Sequence, residues 1–537
     1  MAVADVEVEV LIVGGGPVGL AARALLDRWG VRTLLVEKHD GLSPFPRSRL
    51  VNVRSMEIFR RIGVAEAITA QAFPPEFGRI RFRDTLRDHD FATAGMVGIN
   101  APIPESPALG VITSQDRLEP TLLAAADSPV RFWVELTDLI EAGDGVVGVL
   151  TDHRGGGTTR VHARYVLAAD GANSTVRQLL GIGTTGPGAL GRFTIVVFDA
   201  DLRRWSADQP AGVYFTARGS FAPLYPEGGW AWVGPSPEQG SDPEWPDLIS
   251  RSLGPGPEVK VEVLRLQHWV MNAFVAQRFT HGRILLAGDA AHAVPVFGGM
   301  GMNAGIADVH NLCWKLAGVL RGWAAPGLLE TYEPERHPVA ERTLAQAVAN
   351  TRRAVEVQRR RHDQLQHGST ASEQVELPWT DRFFDQLELI LGYAYASDAV
   401  LAENTAPASA DAALPASAAP ALAAGTTPAF SDADPAAPGR RVPHLVAAGR
   451  STLDACGEWF TVLTADPARW RRYAAAQSST AAYPLRVEPL SVAQAAHCGL
   501  GPHGALLVRP DDHIAARFGG PPGDDTLGTA LAAVTGH

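Results

Sequence analysis

The chain has 537 residues and a net charge of −11, and no apolar tract is long enough to span a bilayer, so a soluble chain is expected. That length allows two or three domains with a large buried core. The acidic balance and the lack of a long basic run argue against nucleic acid or an anionic membrane as the main partner. The first ten residues carry no basic stretch and run into a strand, which argues against a signal peptide. Cys313, Cys456 and Cys498 lie far apart and form no CxxC. That pattern fits a reduced cytoplasm and excludes a disulfide framework or a cysteine-rich metal site; no metal is expected.

The first segment reads as βαβ. Val8–Val13 is apolar and mostly β-branched, a glycine turn follows, Ala21–Trp29 carries helix formers, and Arg32–Val36 is a second strand ending at Glu37. Residues 73–110 and 191–270 change character: Trp, Phe, Tyr and Val alternate in short runs between Gly and Pro turns, the chemistry of an inserted antiparallel sheet. Asn303–Leu320 has apolar residues at 306, 309, 312, 313, 316 and 320, a helical spacing. Gly327 to about Gln366 also reads as helix, with Arg359–Arg361 as a solvated face. Residues 404–438 are rich in Ala and Pro without Lys or Arg, as in a linker. Phe460–Thr464 and Gly504–Val508 read as strands of a small terminal α/β domain.

Three motifs carry chemistry. Gly14-Gly15-Gly16-Pro17-Val18-Gly19 contains GxGxxG between a strand and a helix, with Glu37 some 18 residues beyond the last glycine. Gly14 permits the tight turn, Gly16 lets backbone approach a pyrophosphate, Gly19 lets helix and strand pack, and Glu37 would accept from an adenosine ribose. This motif alone does not choose between NAD and FAD. The second, Val166 to Arg177, is a strand that ends in an acidic turn at Asp170 and enters a helix. The third runs from Arg283 through Gly288-Asp289 and His292 to Pro295, Phe297-Gly298-Gly299-Met300-Gly301-Met302-Asn303. There a strand delivers a carboxylate able to bind a ribityl hydroxyl, and loop amides at a helix start can stabilise charge on a reduced flavin ring.

In order and content these blocks resemble the group A, single-component flavoprotein aromatic hydroxylases, whose marks are GxGxxG, DGxxSxVR and GD. Smaller stretches agree: Pro46-Arg47-Ser48 with Arg54-Ser55-Met56-Glu57, the helix start Ser114–Glu119, Asp308 to Lys315, and Thr331 to Pro338. Arg441–Leu445, Ser451–Asp454 and Leu507–Asp511 resemble the thioredoxin-like C-terminal domain of the bacterial polyketide-hydroxylase branch. The chain departs from the pattern at Leu50, Val296 and Met300, which puts the substrate class, rather than the cofactor, in question.

The resemblance implies an α/β fold. Its parts are a Rossmann-type FAD-binding domain (1–72, 111–190, and 271–400 with its helices), an inserted antiparallel substrate domain (73–110, 191–270), a linker (401–440) and a thioredoxin-like domain (441–537). It places bound FAD against Gly14, Gly16, Pro17, Val18, Glu37, Lys38, Arg47, Gln115, Leu136, Asp170, Gly288, Asp289, Pro295, Gly298, Gly301, Met302 and Asn303. NADPH or NADH would visit transiently, and O2 would react with the reduced flavin to give a hydroperoxide that hydroxylates a polycyclic aromatic polyketide. No protein nucleophile is required, so His292 and His310 read as structural, and Arg47 and Pro295 are the candidates nearest the chemistry. Tyr225, Trp230, Trp232, Val296 and Phe297 are candidate substrate contacts. Baeyer–Villiger insertion or oxidative rearrangement, a flavin oxidase or dehydrogenase, and a non-oxygenase flavin-fold binding protein remain as alternatives. The terminal domain, lacking CxxC, suits packing or a homodimer rather than thiol redox.

Overall fold

The computed structural model describes residues 5–237, 243–368, 373–377, 386–401, 434–477, 483–520 and 526–537. It divides into two compact units, Met1–Leu320 with Glu335–Ile390, and Arg321–Pro334 with Leu391–His537. Most of the Ala/Pro-rich stretch expected to be a linker lies outside the described residues.

The first unit is built on two sheets. One has the order Thr280–His281, Ile284–Leu286, Thr158–Ala168, Asp5–Val13, Thr33–Glu37, Val130–Phe132, and Val134–Ala142 and Gly145–Asp152 join it through Thr158–Ala168. Its centre is parallel: Val13 lies opposite Ala168 on one side and Val36 on the other. Val10 to Val13 are buried on both faces, which is why they read as an unbroken apolar run. The helix Pro17–Arg28 starts earlier than its apolar residues suggested, because Pro17 occupies the first turn, where its missing N–H costs nothing. Trp29 caps it.

The second sheet runs His292–Ala293, Glu262–Ala276, Thr184–Asp199, Gly228–Pro235, Gly219–Tyr225, Val213–Thr216, Arg79–Arg83, Asp90–Gly95. Its two long strands reach beyond the expected span of 191–270, to residues 184 and 276. Bulges between Thr185 and Gly188 and between Ala189 and Gly191 break the alternation that would have revealed the extra length. One face carries Tyr214, Phe221, Trp230 and Trp232, packed with Ile249 and Leu253 of the helix Trp245–Leu253. Phe215, one residue from Tyr214, points the other way and stacks on Phe297 at 5.4 Å.

The helices Gly301–Arg321 and Tyr332–Gln366 complete this unit's core. Lys315 Nζ meets Glu335 Oε2 at 2.7 Å with both side chains fully buried, and Asn311 Nδ2 donates to the same oxygen at 2.6 Å. The basic run Arg359–Arg361 is a solvated face only in part. Arg359 and Arg360 pair with Glu356, but Arg361 is buried, bonded to Asp84 at 2.7 Å and lying over the Phe91 ring. Its long apolar stem lets one arginine of the three turn inward while its head finds a carboxylate.

The second unit has a four-stranded sheet ordered Leu485–Pro489, Phe460–Thr464, Ala505–Val508, Ile514–Phe518, flanked by Pro467–Gln477, Val492–His497 and Thr526–Val534, a thioredoxin-like arrangement. Residues 434–440, placed in the linker from composition, are part of it: Ala436 is fully buried, and Gly439 N donates to Ile514 O at 2.7 Å. Cys456 and Cys498 are buried in its core. Among the described residues no helix is long and apolar enough to cross a membrane.

Replacing Lys315 with Met leaves the Glu335 carboxylate buried without its cation. A loss of about 3–5 kcal/mol is expected, read as a lowered denaturation midpoint of the purified protein.

Candidate active site

The first half of the site is the turn at the end of the strand Asp5–Val13. Gly14 has φ +109°, and a Cβ there would lie 2.3 Å from Ala169 O; a Cβ on Gly19 would lie 2.0 Å from Gly14 O. Both positions are closed to any side chain. A Cβ on Gly16 would meet nothing within 4 Å, so the space before the helix Pro17–Arg28 is open. That helix has no side-chain cap and no acidic residue in its first turn, which leaves its terminal amides and positive dipole end available to an anion.

A groove extends from this turn, lined by Gly14, Gly16, Glu37, Lys38, Arg47, Gln115, Leu136 and Asp170 among others. Glu37 accepts from Gly15 N at 2.7 Å and from His39 N at 2.9 Å, which fixes the carboxylate and leaves lone pairs for a ribose. The Asp170 side chain is engaged within its own turn. It accepts from Ser174 Oγ at 2.6 Å and Val176 N at 3.1 Å, and Ser174 accepts in turn from Arg177 N, so the acidic turn is an internally bonded helix cap. Arg177 then donates to Ala172 O at 2.7 Å and Ala290 O at 2.8 Å, tying this turn to the Gly288-Asp289 loop.

That loop forms the second half. Gly288, with φ +60°, packs against Val18, and Gly305 of the helix Gly301–Arg321 abuts both. Asp289 is accessible although ringed by protein. Lost hydration raises its carboxyl above the ordinary range, against the opposing pull of His292 and Arg47. Beneath it, fully buried Asp308 takes His292 Nε2 at 2.6 Å, Arg336 Nε at 2.7 Å and Gly288 N at 3.0 Å. Burial alone would raise the Asp308 carboxyl, but His292 and Arg336 outweigh it and hold it down at about 2. His292 is thus committed to holding the loop, and His310 contacts Arg54 at 3.3 Å.

Asn303 is a clamp. Its Nδ2 donates to Leu50 O and Gly299 O, and its Oδ1 accepts from Asn52 N and Ser55 Oγ, at 2.6–2.9 Å. Its side chain is therefore fully engaged with protein, and only its backbone can serve a cofactor. Pro295 is buried, Val296 is 50% exposed and Phe297 faces the second sheet, whereas Met300 is buried in the core. Gly298, Gly301 and Met302 lie on the same turn at the start of Gly301–Arg321. Arg47 is exposed and reaches Gln267 Oε1 at 3.3 Å, joining the groove to the strand Glu262–Ala276 of the second sheet.

Trp230 and Trp232, 7% and 3% exposed, lie on the face of the second sheet opposite Phe215, under a helix. The expectation of substrate contact gives way there to core packing, because strand alternation sends residues 230 and 232 to the covered face. Tyr225 donates to Asp116 and lies beneath the Arg117 guanidinium, 3.9 Å from its ring centre.

Among the groove residues that carried no site assignment from sequence are Glu119 and Gln267. Glu119 had a signal, since Gln115 sits one helical turn before it; Gln267 had none. Glu119 accepts from Gln115 Nε2 at 2.7 Å and Ser43 N at 2.9 Å, and burial pushes its carboxyl up to about 7 despite those bonds.

The residues fit FAD: an anion-ready helix start beside space that a glycine keeps open, an acidic residue at the ribose position, and an accessible Asp289 on a glycine loop. Residues 7–347 match the FAD binding domain family and residues 435–537 the aromatic-ring hydroxylase C-terminal family. The chain therefore belongs to the FAD-dependent aromatic-ring hydroxylases, oxidoreductases of the monooxygenase type. It is 36% identical to aklavinone 12-hydroxylase of Streptomyces purpurascens over 96% of each chain. It is 33% identical to 4-methyl-5-nitrocatechol 5-monooxygenase of a Burkholderia species over 96% of this chain and 94% of the relative. Among solved structures, the flavin-dependent monooxygenase PieE with FAD and substrate superposes with a TM-score of 0.85 at 30% identity, covering 99% and 100% of the two chains. Aklavinone-11 hydroxylase with FAD and aklavinone gives 0.82 at 34%, with the same coverage.

Two outcomes follow. Gly14→Ala should yield protein that has lost most of its bound flavin, measured by absorbance after purification, because both the positive φ and the contact with Ala169 O forbid the methyl. For Glu119, a folded pKa raised above the unfolded value means that this group's stabilising contribution is full below about pH 4.5 and lost as pH rises through about 7. Flavin-stripped Glu119→Gln should therefore gain on the wild type between pH 5 and 8, by roughly 3 kcal/mol at most, in denaturation midpoints.

Proposed function

We propose that this protein uses NAD(P)H and O2 to hydroxylate a polycyclic aromatic polyketide. The observation that carries this reading is the joining of the flavin cradle to the second sheet through Phe297 on Phe215 and Arg47 on Gln267. A flat ring system held between that sheet and the loop at Pro295–Asn303 would lie beside the flavin. The aklavinone hydroxylases among its relatives, similar over nearly the full chain, support the choice of substrate class.

Bound FAD would supply the redox chemistry, accepting hydride and passing one atom of O2 to the ring. The protein's own residues do the rest. The amides at the start of Pro17–Arg28 would hold the pyrophosphate, Glu37 would orient the ribose, and Asp289 the ribityl chain. The start of Gly301–Arg321 and the Arg47 guanidinium present positive charge where negative charge develops on the ring. Phe297 stacked on Phe215 and Gly299 against Leu50 would help shield the reacting face from water.

The test is incubation of holoenzyme with NADPH, isotopic O2 and either aklavinone or 4-methyl-5-nitrocatechol, scored by product mass. One labelled oxygen in the aklavinone product is expected. Label entering only the catechol would redirect the substrate class to small phenols, and NADPH consumption with no label in either would overturn the hydroxylation.

A further inference from the structure

Beside the flavin loop lies a small pocket walled by Leu50, Met96, Ile99, Leu387 and Ile390 and closed by Gly298. Its one amide without a partner belongs to Gln386. This side chain is 5% exposed, and both its Nε2 and its Oε1 are buried without a hydrogen-bond partner. Burying both ends of an amide unpaired is costly, and such a group in a folded protein calls for a reason. The neighbouring Asn350 amide is turned to other partners: its Oδ1 accepts from Gln346 Nε2 at 2.8 Å and its Nδ2 donates to Phe297 O at 3.4 Å.

The placement of Gln386 is specific to the loop. Gly298 has φ +105°, and a Cβ there would stand 2.5 Å from Gln386 Nε2 and 2.9 Å from Asn350 Nδ2. The glycine therefore lets the Gln386 amide reach the backbone of the segment that faces the flavin. Apolar walls with one convergent donor–acceptor pair are the usual make-up of a small-molecule site.

We infer that Gln386 is a substrate-orienting residue: its amide donates to a carbonyl and accepts from an adjacent hydroxyl on one edge of the aromatic substrate, setting which ring carbon faces the flavin. This rests on the proposed aromatic polyketide substrate and adds the residue that reads its oxygenation pattern. The pocket is too small for a polycycle, so it takes only that edge, with the remaining rings lying toward the second sheet.

The test uses FAD-loaded protein and two isomeric dihydroxyanthraquinones, with binding read from perturbation of the flavin spectrum. Chrysazin has its hydroxyls beside one carbonyl, and anthraflavic acid has them remote from both. The wild type should bind chrysazin about tenfold more tightly, and Gln386→Leu, of similar volume, should remove that preference while retaining flavin and melting temperature. If Gln386→Leu loses flavin, Gln386→Asn, which withdraws the amide from the pocket, is read in its place with the same expectation. A preference that survives the substitution, or equal binding of both isomers to the wild type, would overturn the role of Gln386 and leave the substrate class standing. Failure of the wild type to bind either isomer would overturn both.

Discussion

The Asp308 carboxylate is the constraint on which the site depends. It is fully buried, yet it remains ionised because His292, Arg336 and the Gly288 amide converge on it from three elements. Isolated, such a charge would be intolerable; surrounded in this way, it fixes the relative positions of everything that donates to it. Its donors come from the loop after Ile284–Leu286, from the strand His292–Ala293 of the second sheet, and from the long helix Tyr332–Gln366. One side chain thus joins the sheet that carries the dinucleotide turn, the sheet proposed to hold the substrate, and the helix layer.

The rest of the site extends outward from that point by the same logic. Arg177 links the Asp170 turn to Ala290, so the second motif braces the third. Asn303 bonds Leu50, Asn52, Ser55 and Gly299, which holds the glycine loop against the segment after Arg47. Buried charged and amide side chains set the geometry of the loops around the groove. Such a frame suits an enzyme whose hard chemistry resides in a bound group.

The legibility of the sequence followed the range of the interactions involved. The glycine turn, its flanking strand and helix, and Glu37 lie within one βαβ unit, and close-range sterics specify each of those residues. Gly14 and Gly19 are needed for contacts that a reader of sequence can anticipate from the turn alone. The brace at Asp308, by contrast, joins residues 288, 292, 308 and 336, and nothing in local spacing assigns partners among them. Trp230 and Trp232 looked like stacking surfaces because an aromatic run does not say which face of a sheet is covered; the helix Trp245–Leu253 decides that. Arg361 looked solvated for a similar reason, since its carboxylate partner lies 277 positions earlier. The long bulged strands at 184–199 and 262–276 hid their own ends, because glycines at 186, 188 and 191 interrupt the alternation.

A crystal structure of the protein with FAD bound tests the central claim most directly. The pyrophosphate should lie against the open space at Gly16, the ribose against Glu37, and the ring beside the backbone of Gly298–Asn303, with the Asp308 contacts unchanged. FAD found elsewhere on the chain, or a ring seated away from that loop, would contradict it.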